Sequence, residues 1–387
     1  MTLQARDIFT KLSEWPHRGT GSDNELEARE ALSAELTGEY GVHVSEEGFF
    51  CPRTYLPFLW LIAIGQAGVV AASAFMPFVV FFAGLLLFAS HLLFFDWRVS
   101  PLIWWGARGV TANLTATKNS STKGDDTRLV ILMAHLDSAP SSFAYRPAQV
   151  RHFKTSVYMG TAIVGFGVLV PAVEAQGFML PDWLRYLVIA LLVAQGAIAS
   201  MDYWRFGYTP GADDNLSGVA AATQAASALW RKMPPETEVR LVVTSGEEAG
   251  MLGAQHYWRH HQEELHERDS HVLNFDTLGN KNLGYVVESG GFTRVHYDTP
   301  LARAADALTK IDKRYAGFEP RVHHVGDFDS VWFVRDGISS LTIAAYDDEG
   351  LMPHIHTPED KVDHVDLDCV EAAAAFGEAL VRTLPRN

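Results

Sequence analysis

This sequence has few cysteines, and it has fewer basic than acidic side chains. Its 387 residues include two cysteines, Cys51 and Cys369, which excludes a disulfide scaffold and a zinc module built from cysteines. The 31 basic and 46 acidic side chains give a formal net charge of −15 with neutral histidines. This balance argues against a nucleic-acid-binding protein, because phosphate binding needs a basic face. Any metal site in this chain therefore depends on histidines and carboxylates.

Charged residues are also missing from two long stretches. Residues 54–95 form a run of 42 without Asp, Glu, Lys or Arg. A second apolar block comprises residues 155–173 and 186–201, which a polar turn separates. Since a bilayer span takes about 20 apolar residues, each block predicts a hairpin of two membrane-spanning helices, the first turning near Met76 and Pro77. The alternative is that both blocks form buried core helices of a soluble protein.

The distribution of basic residues predicts on which side of the membrane the polar part lies. The first 50 residues contain no apolar segment of a secretory signal peptide. Each hairpin crosses the membrane and returns, so all polar segments outside the two hairpins lie on the same side of the membrane. Basic residues near the bases of the hairpins are Arg53, Arg98, Arg108, Arg146, Arg151, Lys154 and Arg205. The far-side turns contain only Arg185, so the positive-inside rule predicts four spans with a cytoplasmic catalytic domain.

The polar segments predict one α/β domain that the two hairpins interrupt. These segments are residues 1–53, 96–154 and 202–387, and the hairpins are residues 54–95 and 155–201. Ser22 and Glu25 have the spacing of a capping box at the start of a helix. β-Branched runs predict strands at residues 128–134, 239–244, 271–275 and 340–345, and helical stretches occupy residues 215–230, 249–264 and 367–384. This alternation predicts a three-layer α/β/α fold with a largely parallel mixed sheet, whose chemistry lies at the carboxyl ends of the strands.

Polar residues follow the first predicted strand and precede a helix of small residues. His135 ends the strand and Asp137 lies two residues later, a spacing at which the carboxylate can orient a metal-binding imidazole. Asp213 and Asp214 lie in a glycine-rich turn. They can bridge two cations, or they can simply cap the helix that follows.

Three further motifs follow predicted strands. Glu247 and Glu248 can divide the work, one binding a metal while the other moves a proton, although acids in the first turn of a helix also stabilise its dipole. Asp276 closes a fourth strand, and His356, followed by a threonine, lies after a fifth. Each motif is weak by itself, but five strand-end motifs in this order indicate one shared site.

This ordered set resembles the M28 family of zinc-dependent metallopeptidases. The resemblance covers the polar segments and leaves out both apolar blocks. It implies that His135 and Asp276 hold one zinc ion. It further implies that Glu248 and His356 hold a second zinc ion, and that Asp213 bridges the two.

The same resemblance implies the catalytic roles and the partners. Glu247 is expected to be the general base, Asp137 the partner of His135, and the peptide bond between Asp213 and Asp214 to be cis. The expected cofactors are two Zn²⁺ ions, and the ligand types do not exclude Mn²⁺ or Co²⁺. The expected function is a membrane-anchored aminopeptidase that hydrolyses the first bond of a peptide with a free amino terminus. The oligomeric state stays open.

The sequence departs from the family near the expected substrate pocket. Ser330 stands where many members have a histidine, and His323, His324 and Tyr346 are candidates to replace it. Two other functions stay open. One is a related hydrolase or acyltransferase, such as a carboxypeptidase, a deacylase or a glutaminyl-cyclase-like enzyme. The other is a non-catalytic membrane adaptor on a peptidase scaffold, against which the intact set of ligand-type residues argues.

Overall fold

The computed structural model describes residues 3–39, 41–96, 100–106, 108–118, 127–323 and 326–385. Its strands are β1 (Val42–Pro52), β2 (Arg108–Lys118), β3 (Arg128–His135), β4 (Thr237–Thr244), β5 (Ser270–Phe275), β6 (Asn282–Ser289), β7 (Val295–His296), β8 (Glu319–Val322) and β9 (Ser339–Tyr346). Its helices are α1 (Ala5–Leu12), α2 (Asp23–Thr37), α3 (Leu56–Ala72), α4 (Pro77–Phe95), α5 (Phe153–Glu174), α6 (Asp182–Phe206), α7 (Gly218–Arg231), α8 (Leu252–Glu267), α9 (Pro300–Ile311), α10 (Val331–Arg335) and α11 (Leu367–Thr383).

The strands form one mixed sheet in the order β1-β2-β4-β3-β5-β9-β6-β7, with β8 beside β6. The four central strands β4, β3, β5 and β9 are parallel, and the antiparallel pairs lie toward the edges. Every residue of β5 and β9 is buried, because helices cover the centre of the sheet on both faces. Helices α1, α2, α7, α9 and α11 pack on one face, and α8 and α10 pack on the other. The predicted α/β fold with a largely parallel mixed sheet is confirmed.

The four predicted strands correspond to β3, β4, β5 and β9, whereas two predicted helices start later than expected. Helix α7 begins at Gly218, because Asp214 and Asn215 have non-helical backbone angles. Helix α8 begins at Leu252, because the chain first turns through positive φ angles at Gly246 and Met251. These two turns hold Asp214, Glu247 and Glu248 in non-helical segments just before the two helices.

The predicted capping box at the start of α2 is present in a modified form. The Ser22 hydroxyl accepts the backbone N–H of Glu25 at 3.2 Å. The Glu25 carboxylate accepts the backbone N–H of Gly21 at 2.6 Å, where the capping-box pattern would have it accept that of Ser22. The first of these hydrogen bonds satisfies a donor that a helix start otherwise leaves unpaired.

The two apolar blocks form four helices that pack together. Helix α3 contacts α4, α5 and α6, and the turn before α4 has Met76 and Pro77 at its end, as expected. In the described part of the chain, three helical segments are long and apolar enough to cross a membrane, namely Pro77–Phe95, Val150–Glu174 and Asp182–Phe206. Helix α3 has 17 residues and is shorter. By length and composition, the structure therefore supports three of the four predicted spans.

The helical bundle shares an apolar cluster with the α/β domain. Phe58 and Ile62 of α3 and Phe94 of α4 are buried in this cluster, together with Phe49 and Cys51 of β1. Burial of large side chains of this kind contributes about 1.5–3 kcal/mol each. The bundle is therefore packed onto the domain and is not merely tethered to it.

Candidate metal centre

The carboxyl ends of the parallel strands converge with two loops at one edge of the sheet. The side chains brought together there are His135 at the end of β3, Glu247 and Glu248 after β4, Asp276 after β5, Asp214 before α7 and His356 after β9. Adjacent parallel strands end at the same edge, which explains why residues so distant in sequence meet. All of these side chains except Glu247 and His356 are buried.

One carboxylate lies between the two histidines. The Asp214 Oδ1 atom is 3.2 Å from His135 Nε2, and its Oδ2 atom is 3.1 Å from His356 Nε2. Asp276 Oδ2 lies 3.7 Å from His135 Nε2, and Glu248 Oε2 lies 3.3 Å from His356 Nε2. The ligand atoms of His135, Asp214 and Asp276 form one compact group, those of Asp214, Glu248 and His356 form a second, and those of His135, Glu247 and Glu248 form a third. Two cations can therefore be held side by side with Asp214 shared.

The structure places Asp214, not Asp213, between the two histidines. The Asp213 Oδ1 atom accepts the backbone N–H of Gly279 at 2.6 Å, and its Oδ2 atom accepts the side-chain amide of Asn280 at 3.0 Å. These hydrogen bonds turn the Asp213 carboxylate away from the histidines. The non-proline cis peptide bond likewise joins Asp214 and Asn215, so the expected position of this bond, one residue earlier, was wrong.

Asp137 contacts both His135 and the loop after β4. The His135 Nδ1 atom lies 3.1 Å from the backbone oxygen of Asp137 and 3.7 Å from its Oδ1 atom. The two carboxylate oxygens of Asp137 accept the backbone N–H groups of Glu247 and Glu248, each at 3.2 Å, and Oδ2 also accepts the Thr20 hydroxyl at 2.8 Å. Asp137 therefore links the first histidine to both glutamates.

The carboxylates of this site lie close together and are largely buried, so their negative charges repel one another. Burial, reinforced by nearby carboxylates, raises the pKa of Asp276 to about 7 and raises the pKa values of Glu247 and Glu248 well above their usual range. Burial acts in the same direction on Asp214, but hydrogen bonds from the two histidines hold its pKa well below its usual range. Divalent cations would relieve this repulsion, because they favour the ionised form of each carboxylate.

The donor set fits divalent metal ions. Glu248 Oε1 is buried and has no hydrogen-bond partner within the described ranges, so this oxygen is available to a cation. Each of the two groups that share Asp214 offers one imidazole nitrogen and carboxylate oxygens, with no thiolate. This combination suits Zn²⁺ and is also compatible with Mn²⁺ or Co²⁺.

Two residues that support the site were not predicted from the sequence. The Asp360 carboxylate accepts the backbone N–H groups of Asp213 at 2.7 Å and of Asp214 at 3.2 Å. The buried Arg18 guanidinium donates to the backbone oxygens of Leu136 and Gly211, at 2.9 and 2.7 Å, and so joins the loops that carry the first histidine and the acidic turn. Asp360 lies four residues after His356 and could have been noticed, whereas Arg18 carries no local signal.

The candidate replacements for the missing histidine lie only partly within the described chain. His323 is buried, and its Nδ1 atom lies 3.5 Å from the Tyr346 hydroxyl. His324 falls outside the described residues. Ser330 forms a hydrogen bond with the Thr342 hydroxyl at 2.7 Å and is fully buried, so it is part of the core.

The family model described as peptidase family M28 matches residues 198–381, which include five of the six clustered side chains. The matched residues make up just under half of the chain, and over them the chain is similar to this family. Among curated proteins, it is similar to the aminopeptidase YwaD of Bacillus subtilis, with 29% identity over 181 residues. That match covers 45% of this chain and 38% of the relative, so the chain spans well under two thirds of the relative's length.

Solved structures share the fold at low sequence identity. An aminopeptidase from Aneurinibacillus sp. strain AM-1 has a TM-score of 0.58 and 16% identity, with 100% of this chain and 95% of that chain covered. A glutaminyl cyclase from Fimbriiglobus ruber has a TM-score of 0.59 and 12% identity, with 99% and 95% covered. Peptidases and cyclases thus share this architecture, and the fold alone does not separate the two activities.

Proposed function

We propose that this protein is a membrane-anchored aminopeptidase with two zinc ions. The observation that carries the proposal is the position of Asp214, whose two carboxylate oxygens face His135 and His356. His135 and Asp276 would hold one ion, Glu248 and His356 the other, and Asp214 both. When bound, such a pair of ions polarises a carbonyl group and lowers the pKa of water.

Glu247 is the proposed general base. Its Oε2 atom lies 3.9 Å from His135 Nε2, farther than Asp214 or Asp276, and its side chain is 15% exposed, which leaves it accessible from solvent. Asp137 fixes the position of its backbone N–H. From there Glu247 takes a proton from the attacking water and delivers it to the departing amine.

The substrate class follows from the charge of the site. Carboxylates dominate this edge of the sheet, and such a concentration of negative charge attracts a protonated amino group. A peptide with a free amino terminus is therefore the proposed substrate. Its first peptide bond is the proposed site of hydrolysis.

The helical bundle is the proposed membrane anchor. Helix α4 exposes Phe78, Phe82 and Leu86, and α5 and α6 also expose large apolar side chains, which a bilayer would cover. Helix α3 spans about 25 Å at 1.5 Å per residue, a little less than the hydrocarbon core of about 30 Å. Its contacts with the three longer helices support a fourth span.

The proposed layout has hairpins at residues 54–95 and 155–201 and a cytoplasmic catalytic domain formed by residues 1–53, 96–154 and 202–387. At the far-side turn, Arg185 pairs with Glu174 and with Asp182, so its charge is offset locally. The basic residues therefore favour the side of the catalytic domain.

A glutaminyl-cyclase-like activity is the second candidate, since a solved cyclase shares the fold. A purified sample assayed with an unblocked aminoacyl substrate, an N-terminally blocked peptide and a peptide that starts with glutamine separates the two activities. We expect hydrolysis of both substrates that have a free amino terminus and no hydrolysis of the blocked peptide. Release of ammonia from the glutamine peptide without hydrolysis would favour the cyclase.

A further inference from the structure

The Nδ1 atom of the His356 ring has no hydrogen-bond partner among the described residues. A ligating histidine almost always donates its second ring nitrogen to a carboxylate, a backbone oxygen or water. His135 has such a contact with Asp137, whereas the His356 Nδ1 atom is buried and has no hydrogen-bond partner within the described ranges. His356 also has a positive φ of 53° in the loop after β9, a backbone conformation that few non-glycine residues adopt.

An aromatic ring occupies the space beside this imidazole. Tyr145 stacks on His356 with 4.1 Å between ring centroids and 28° between ring planes. Phe153 packs on the same tyrosine at 4.8 Å, and the backbone N–H of Ser142 donates to the His356 oxygen at 2.9 Å. The face of His356 and its backbone are therefore both fixed by the segment that connects β3 to α5.

This segment is in turn attached to a helix of the proposed membrane bundle. Arg146 follows Tyr145 directly, and its Nε and Nη2 atoms donate to the two carboxylate oxygens of Asp202 at 2.8 and 2.6 Å. Asp202 lies near the end of α6, and its side chain is 2% exposed. A two-point arginine–carboxylate pair holds both orientation and distance, more than a single contact would.

We propose that Tyr145 is a positioning residue for His356 and that the Arg146–Asp202 pair couples this position to the membrane helix α6. The inference rests on the proposed function, since it assigns His356 to a metal. Tyr145 acts through the imidazole and does not itself bind the metal. The helical bundle thereby determines the geometry of the second metal position as well as the location of the enzyme.

The test compares Tyr145→Leu with Tyr145→Phe in the full-length protein in detergent or nanodiscs. Zinc binding is titrated in competition with a chromophoric chelator, and kcat and KM are measured with an unblocked aminoacyl substrate. Leucine removes the flat ring, so we expect one of two zinc equivalents to bind about 10- to 100-fold more weakly, as for loss of other orienting partners. Phenylalanine keeps the ring and should retain both affinities.

Equal zinc affinities in Tyr145→Leu and the parent would overturn the positioning role while leaving the proposed function intact. A parent protein that binds no zinc would overturn both. If Tyr145→Leu does not yield folded protein, Tyr145→Met replaces it, because methionine is longer and more flexible than leucine and fills irregular space without a flat face, and the same comparison decides.

The coupling to α6 is tested with Asp202→Asn, which keeps the shape of the side chain but removes its charge. The matched control is Arg151→Gln, which breaks an exposed pair with Glu349 in the same part of the chain. We expect Asp202→Asn to weaken the same zinc equivalent and to lower kcat more than it changes KM, and the control to leave both unchanged. Unaltered zinc binding in Asp202→Asn, or equal effects in both variants, would refute the coupling.

Discussion

Replacement of Glu247 by glutamine should separate proton transfer from metal binding. Glutamine has nearly the same shape as glutamate but cannot take up a proton at neutral pH. Glu247 is not a member of either of the two groups of candidate metal ligands that contain Asp214. General acid–base catalysis contributes about 10²- to 10⁴-fold, so kcat should fall by that factor, or about 3–5 kcal/mol in activation free energy. The backbone N–H that donates to Asp137 is unchanged, so the loop should keep its position.

The assay measures kcat on an unblocked aminoacyl substrate and zinc content on the same sample. Glu248→Gln is the contrasting variant, because the Glu248 carboxylate lies 3.3 Å from His356 Nε2 and its loss should weaken one zinc equivalent. Glu263→Gln, at an exposed position of α8, controls for the change in charge. Loss of zinc from Glu247→Gln equal to that from Glu248→Gln would refute the division of roles between the two glutamates.

Three further predictions concern the shared ligand, the metal and the topology. Asp214→Asn should weaken both zinc equivalents, whereas Asp213→Asn should mainly lower stability, by about 1–3 kcal/mol in urea unfolding, because it loses buried hydrogen bonds. A zinc chelator should abolish hydrolysis and added zinc should restore it; activity that persists without metal would contradict the mechanism. In a Cys369→Ser background, a cysteine at Gln176 should react with a membrane-impermeant maleimide in intact cells and one at Lys310 should not; the reverse pattern would place the catalytic domain outside.

The sequence predicted the central sheet well because local signals agree there. The runs that form β3, β4, β5 and β9 each contain Val or Ile among other apolar residues, and polar residues lie at or just beyond the end of each run. Parallel strands have to end at a common edge, so motifs that are weak one by one together predict a shared site.

Side-chain direction within a turn could not be predicted in the same way. Asp213 and Asp214 are adjacent and identical in type, and only the hydrogen bonds that Gly279 and Asn280 give to Asp213 decide which carboxylate faces the histidines. These partners lie more than 60 residues away, beyond the reach of any local pattern. The same holds for Tyr145, which stacks on His356 although the two residues lie more than 200 positions apart in the sequence.

The central claim is that this edge of the sheet holds two metal ions with one shared carboxylate. Crystals grown with zinc and measured on both sides of the zinc absorption edge would test it most directly. We predict two anomalous peaks, one among His135, Asp214 and Asp276 and the other among Asp214, Glu248 and His356. A single peak, or none at this edge, would contradict the account.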